Sequence, residues 1–282
     1  MPAIHIVTDS ACDLGPELAE DRGVKVVPLS IRFGSEQLAD RTELSTKEFW
    51  DRVTTGPVMP QTAAPSPGAF EEAFLGAAGD GAEGVVCVCL SSRLSATYEV
   101  ACSAASAVAD RIPVCVFDSL AVSVAQGMLV VAAWQAAGDG AGLDEIEADL
   151  AGKLSRTKIY GTIDSLDFLR RGGRMGGAAA LVGSMLSIKP VVEVRGGTVE
   201  LESRQRTRSR ALAYLTSKVS NAGDVDWVGV MSGAAADAGE LVAMVREAVP
   251  GCQPVVVELG PVVGSHTGPG TLGLAFETTS RP

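Results

Sequence analysis

His266 is one of two histidines in the chain, the other being His5. It stands in the segment Gly264-Ser265-His266-Thr267-Gly268-Pro269-Gly270-Thr271-Leu272-Gly273. An imidazole that titrates near neutrality, set among hydroxyls and glycines that let backbone come close, is suited to meet the polar head of a small ligand. Two further hydroxyl-bearing segments are candidates for the same site. In Pro60-Gln61-Thr62-Ala63-Ala64-Pro65-Ser66-Pro67 the prolines limit motion, and Ser66 followed by Pro67 reads as a helix cap with proline in the first turn. Thr62 has no such duty and is a candidate ligand contact. Leu90-Ser91-Ser92-Arg93-Leu94-Ser95-Ala96-Thr97-Tyr98 joins an apolar run to a helical one. Free amides at a helix start, together with serine hydroxyls, make a site for a carboxylate or a phosphate. Ser95 also suits the cap of that helix, which leaves Ser91 and Ser92 unexplained by capping.

Other chemistry finds less support. A serine nucleophile is conceivable, but there is no Gly-x-Ser-x-Gly elbow and no identifiable acid–base partner. Phe168 to Gly177 ends one helix with cations and glycines but lacks the Gly and Lys order of a phosphate-cradling loop. Thr8-Asp9-Ser10-Ala11-Cys12-Asp13 offers two carboxylates, for which a helix cap and turn is the simpler reading than a metal site. The six cysteines are scattered and read as buried free thiols, so no metal is expected. Glu200, Glu202, Arg204 and Arg206 alternate along a strand pattern, which places all four on one face. The two arginines then form a basic patch, either solvated or docking an acidic protein surface.

The elements that position these residues divide the chain in two. Residues 1–155 alternate strand and helix patterns, predicting an α/β domain with a mainly parallel sheet. Strands are expected at Ile4 to Val7, Val24 to Ile31, Gly84 to Leu90 and Val114 to Phe117. Helices are expected at Pro16 to Arg22, Thr46 to Val53, from about Ala69, at Ser95 to Ala109, Ala121 to Ala137 and Leu143 to Leu154. The polar loops Thr8-Asp9-Ser10, Ser91-Ser92 and Asp118-Ser119 follow three of the strands and should share one rim. Residues 156–282 predict an α+β domain. It has a hairpin turning at Gly196-Gly197, a helix of about Ser209 to Val219, and strands at Trp227 to Met231, Val255 to Leu259 and Leu272 to Phe276.

Composition narrows the partners. With 282 residues and 46% hydrophobic content the chain can bury a large core. Aromatic residues at 5% give few stacking platforms, and a net charge of −11 repels nucleic acid and anionic membranes over most of the surface, so no nucleic-acid partner is expected. The start of the chain runs directly into a strand pattern without a signal-peptide pattern, and no apolar run reaches membrane-spanning length. A cytoplasmic protein is expected.

Taken in order, several segments resemble the DegV family of bacterial fatty-acid-binding proteins, the acyl carriers of the fatty acid kinase system. They are Thr8-Asp9-Ser10; Thr62 with Pro65-Ser66; Leu90-Ser91-Ser92 with Leu94-Ser95 and Thr97-Tyr98; Asp118-Ser119 with Ser123 and Gly127; Gly172-Gly173-Arg174; Lys189-Pro190; and His266-Thr267-Gly268-Pro269-Gly270. The resemblance spans essentially the whole chain. It implies two domains with a ligand tunnel at or near their interface, and a long-chain fatty acid whose carboxyl group is held by Thr62, serines of the Ser91, Ser92 and Ser95 loop, and His266. It further implies a carrier without cofactor or catalytic residues that presents its ligand to a separate ATP-dependent kinase. The acyl phosphate so made would serve phospholipid metabolism, with transient membrane contact for lipid exchange. Arg174, Arg204 and Arg206 are the expected partner-docking cations, and Leu181 to Leu186 are candidate tunnel lining. The chain departs from the family's Ser-Ser-Gly-Leu-Ser-Gly pattern at Arg93 and Ala96, and from its polar residues after Thr62 at Ala63 and Ala64. The competing reading is an enzyme, a serine hydrolase or phosphotransferase, in the same pocket.

Overall fold

Runs of apolar, β-branched residues without polar alternation form strands buried on both faces. A computed structural model of the chain describes residues 3–15, 21–181 and 188–279. The first half runs β1 (Ile4–Asp9), β2 (Lys25–Val27), β3 (Ser30–Phe33), β4 (Glu36–Ala39), α1 (Thr46–Thr55), β5 (Gln61–Ala63), α2 (Pro67–Gly79), β6 (Gly84–Cys89), α3 (Thr97–Ala107), β7 (Val114–Asp118), α4 (Val124–Gly138) and α5 (Leu143–Arg156). The second runs β8 (Thr157–Thr162), α6 (Asp167–Arg171), β9 (Lys189–Arg195), β10 (Thr198–Gln205), α7 (Arg208–Ser220), β11 (Val225–Gly233), α8 (Ala238–Ala248), β12 (Val255–Glu258), α9 (Pro261–Thr267) and β13 (Thr271–Thr278).

Three sheets result. A parallel sheet of order β2-β1-β6-β7 is covered on one face by α2 and α3, through Phe70, Phe74, Ala101 and Ala104, and on the other by α4 and α5, through Leu129, Val130, Ile146 and Leu150. The second sheet, of order β10-β9-β8-β13-β11-β12, is antiparallel except between β11 and β12. Its outer face carries α7 and α8. Its inner face receives α4 so closely that a Cβ on Gly229 would lie 2.7 Å from Val124. A helix apolar around its whole circumference must be buried on all sides, and α4 is buried between the two larger sheets. The third sheet, β4-β3-β5, is small and antiparallel.

Two features correct the sequence reading. Val24 to Ile31 is not one strand. Pro28 has no N–H to give to a ladder, so β2 stays in the parallel sheet while β3 leaves it to pair with β4 and β5. Thr62 accordingly lies in a short strand, paired with Ile31, rather than in a loop. In β10 the register slips between Leu201 and Ser203, which face the consecutive residues Val192 and Val191 of β9. Glu202 is the extra residue of this bulge, so Arg204 falls on the opposite face of the sheet from Glu200, and the four charges do not share one face.

Of the predicted helix Pro16 to Arg22, residues 16–20 lie outside the described residues. Among the described residues no helix is long and apolar enough to cross a membrane, and no cluster of three ligating side chains could hold a metal ion. The six cysteines are free.

Candidate functional site

α9 carries His266 into a cavity between the second sheet and the first half of the chain. The helix starts at Gly260, whose N–H donates to Asp13 Oδ1 at 3.0 Å, and has Pro261 in its first turn. Its glycines serve packing, where the sequence had suggested room for a ligand. A Cβ on Gly264 would lie 2.6 Å from the Phe49 ring, and one on Gly268, at φ 75°, would lie 2.4 Å from the Phe168 ring. Gly172 is equally constrained, because a Cβ there would collide with His266 Nδ1.

Facing α9, β5 brings Thr62 Oγ1 to 2.9 Å from His266 Nε2. The other ring nitrogen, Nδ1, has no hydrogen-bond partner among the described residues. Burial, reinforced by the nearby Arg174 guanidinium, pushes the imidazole pKa down to about 4, so His266 is neutral at physiological pH. Arg174 donates from Nε to Leu94 O at 2.9 Å and from Nη1 to Gly172 O. It therefore ties the loop after α6 to the segment that carries Ser95.

Ser95 also reaches the cavity. Its hydroxyl shares a 2.8 Å hydrogen bond with Thr97 Oγ1 and accepts from Thr97 N at 3.3 Å, while α3 begins without a side-chain cap from Ala96. Ser91 and Ser92, expected in the same role, are not among the lining residues. The Ser91 hydroxyl donates to Gly197 O at 2.8 Å in the β9–β10 turn and is fully buried, and the Ser92 amide donates to Asp118 Oδ1. Ser91 thus braces the two halves of the chain against each other, while Ser92 ties two loops of the first half together.

The expected rim loops do adjoin, but they satisfy one another. Asp9 accepts from Leu90 N and Ala11 N, and Asp118 from Ser92 N and Leu120 N. Arg174, expected on a docking surface, lines the cavity instead, whereas Arg204 and Arg206 are exposed and Arg93 points to solvent.

Away from this polar end the walls are aliphatic, including Leu29, Val122, Val194, Met231 and Leu259. The space between these walls amounts to about 910 Å³ when the open solvent at its mouth is counted. The candidate lining Leu181 to Leu186 falls outside the described residues, save the backbone of Leu181. Sequence reasoning missed Ser123. It falls inside the helix expected at Ala121 to Ala137, yet it stands just before α4, adopts φ 59°, lines the cavity and donates to Asp13 Oδ2 at 2.6 Å.

Asp13 is the anchor beneath this site. Besides Gly260 and Ser123 it binds Arg41 Nη2 at 2.7 Å, a pair in which the carboxylate is fully buried. Burial raises the Asp13 pKa despite these partners, and Asp40 nearby is raised by burial to about 7. The Asp40 carboxylate oxygens have no hydrogen-bond partner among the described residues.

A family model described as uncharacterised protein, DegV family, matches residues 3–279. A DegV domain-containing protein of Streptomyces coelicolor is 37% identical over 281 residues, covering 98% of each chain. Among solved structures, a fatty-acid-binding DegV family protein from Thermus thermophilus is 31% identical with a TM-score of 0.88, over 98% of this chain and 99% of that one. A stearic-acid-binding protein from Eubacterium ventriosum is 28% identical with a TM-score of 0.90, over 98% of both.

Proposed function

The chain belongs to the DegV family, and on that premise we propose that it is a non-enzymatic carrier of a long-chain fatty acid. The acyl tail occupies the aliphatic cavity, and the carboxyl group meets Thr62, Ser95 and His266, with Arg174 as counter-charge. The observation that carries this reading is the Thr62–His266 pair at the polar end of an otherwise apolar cavity. When Nε2–H of the neutral imidazole donates to Thr62 Oγ1, the threonine's own proton is left for a ligand oxygen. A carboxylate then receives hydroxyl donors and the Arg174 charge in a setting of low dielectric, where such bonds are strong.

Tail and head divide the work. Burying about fourteen methylenes at about 0.8 kcal/mol each contributes on the order of 11 kcal/mol before association costs. Each head-group hydrogen bond nets about 1 kcal/mol. The tail sets affinity, and Thr62, Ser95 and His266 set orientation and chemical class.

The carrier presents its carboxyl group to a separate fatty acid kinase, docking through the exposed Arg204 and Arg206, and exchanges lipid in transient contact with a membrane. No cofactor beyond the bound acid enters this scheme. Mass spectrometry of the organic extract of the denatured, purified protein tests it. A stoichiometric long-chain acid is expected. Absence of any acid, with none bound on addition, overturns the carrier reading, and ATP consumption or ester cleavage by the isolated chain would favour an enzyme.

A further inference from the structure

Across the inner face of the second sheet, the strand register places Met231, Gly273, Gly161 and Val192 in a single row over β11, β13, β8 and β9. All four line the cavity. With the Met231 side chain lying over Gly273, the row leaves a trough in the cavity floor at Gly161, about one strand spacing or roughly 5 Å across.

The two glycines have different reasons. A Cβ on Gly273 would lie 2.6 Å from Met231 Cε, so this position makes room for the thioether. Gly161 has no such neighbour. The nearest atoms to a Cβ there are Leu272 O at 3.5 Å, Gly273 Cα at 3.9 Å and Val192 Cγ2 at 4.0 Å, all ordinary contacts, and its φ is not positive. Neither backbone conformation nor packing of the protein requires glycine at 161. A glycine inside a strand weakens it, and such positions mark close approach of a ligand or another backbone. Here the partly open face of Gly161 looks onto the cavity.

We propose that Gly161 is a specificity-determining residue: its trough, with Met231 as a movable wall, admits an acyl chain carrying a lateral bulge, a methyl branch or a cis bend, in preference to a straight saturated chain. This inference rests on the carrier reading above. A straight chain over the trough leaves wall atoms without contact partners, whereas a bulge restores them. The unbranched, polarizable Met231 side chain adapts its position to the bulge.

The test compares binding of octadecanoic, 10-methyloctadecanoic and cis-9-octadecenoic acids to the full chain, to Gly161→Val and to Gly161→Ala. The parent should bind at least one bulged acid about tenfold more tightly than octadecanoic acid, the selectivity that one methylene in an apolar pocket provides. Preference for the methyl-branched or the cis acid identifies which bulge is taken. Gly161→Val should bring the ratio close to one while octadecanoic acid still binds, and Gly161→Ala, whose added methyl meets no atom of the protein closer than 3.5 Å, should lower it part of the way. If the valine variant does not fold, the alanine variant decides alone. A parent ratio near one, or a ratio unchanged by substitution, overturns the inference and leaves the carrier reading intact. Failure of the parent to bind any of the three acids overturns both.

Discussion

Thr62 and His266, 204 positions apart in the chain, meet through a 2.9 Å hydrogen bond between the threonine hydroxyl and the imidazole Nε2. One sits on the short strand β5 and the other in the seven-residue helix α9, so the contact exists only in the folded chain. Replacement of either residue by alanine should weaken fatty-acid binding about five- to tenfold, corresponding to about 1 kcal/mol for one hydrogen bond. Binding of the fatty alcohol of equal length should change much less. Titration calorimetry with both ligands measures the difference, and an equal loss for acid and alcohol would place the carboxyl group elsewhere.

Asp13 joins three segments through its buried carboxylate, which accepts from Gly260 N and Ser123 Oγ and pairs with Arg41. Asp13→Ala should destabilise the fold by about 3–5 kcal/mol, because removing one partner strands a largely buried guanidinium. Urea unfolding monitored by circular dichroism reads this directly. A loss below about 1 kcal/mol would show that this carboxylate does not hold the three segments together.

The pH dependence of stability has a defined sign for Asp40. Its carboxyl pKa is near 4 when unfolded and about 7 when folded. Between those values the folded state binds more protons, so this group's contribution falls as pH rises from about 4 to about 7 and is level above. His266 works the other way: folded pKa about 4 against 6.5 unfolded, its contribution rises over that interval. Asp40→Asn removes only the first trend. The variant should be more stable than the parent at pH 8, by on the order of 1 kcal/mol or more, with the advantage vanishing below about pH 4. Thermal unfolding across that range checks it.

Arg204 and Arg206 are exposed, and no ion pair involves them among the described residues. Charge reversal at both should lower the rate of acyl phosphate formation by the proposed kinase partner about tenfold or more without changing lipid content, since charge complementarity acts mainly on encounter and register. An unaltered kinase rate would dismiss this patch as the docking surface.

Much of the fold was legible because its cause is local. The apolar runs of β1, β6 and β7, the Gly196-Gly197 turn, and Ser66 capping α2 through Ala69 N all follow from nearest-neighbour chemistry. Thr62 stood out because capping gave it no task, and His266 because histidine is rare here. Features governed by distant partners were not legible. The bulge at Glu202 depends on pairing with β9, and Ser91 is withdrawn from the cavity by Gly197, 106 positions away. The glycines around His266 answer to Phe49 and Phe168, which no local pattern links to α9.

The central claim is that a fatty acid lies in this cavity with its carboxyl group against Thr62 and His266. Nuclear magnetic resonance of palmitic acid labelled with carbon-13 at the carboxyl position tests that most directly. The expected result is a bound carboxyl resonance, distinct from free acid, whose shift changes in both Thr62→Ala and His266→Ala. No bound resonance, or one that neither substitution moves, would contradict the claim.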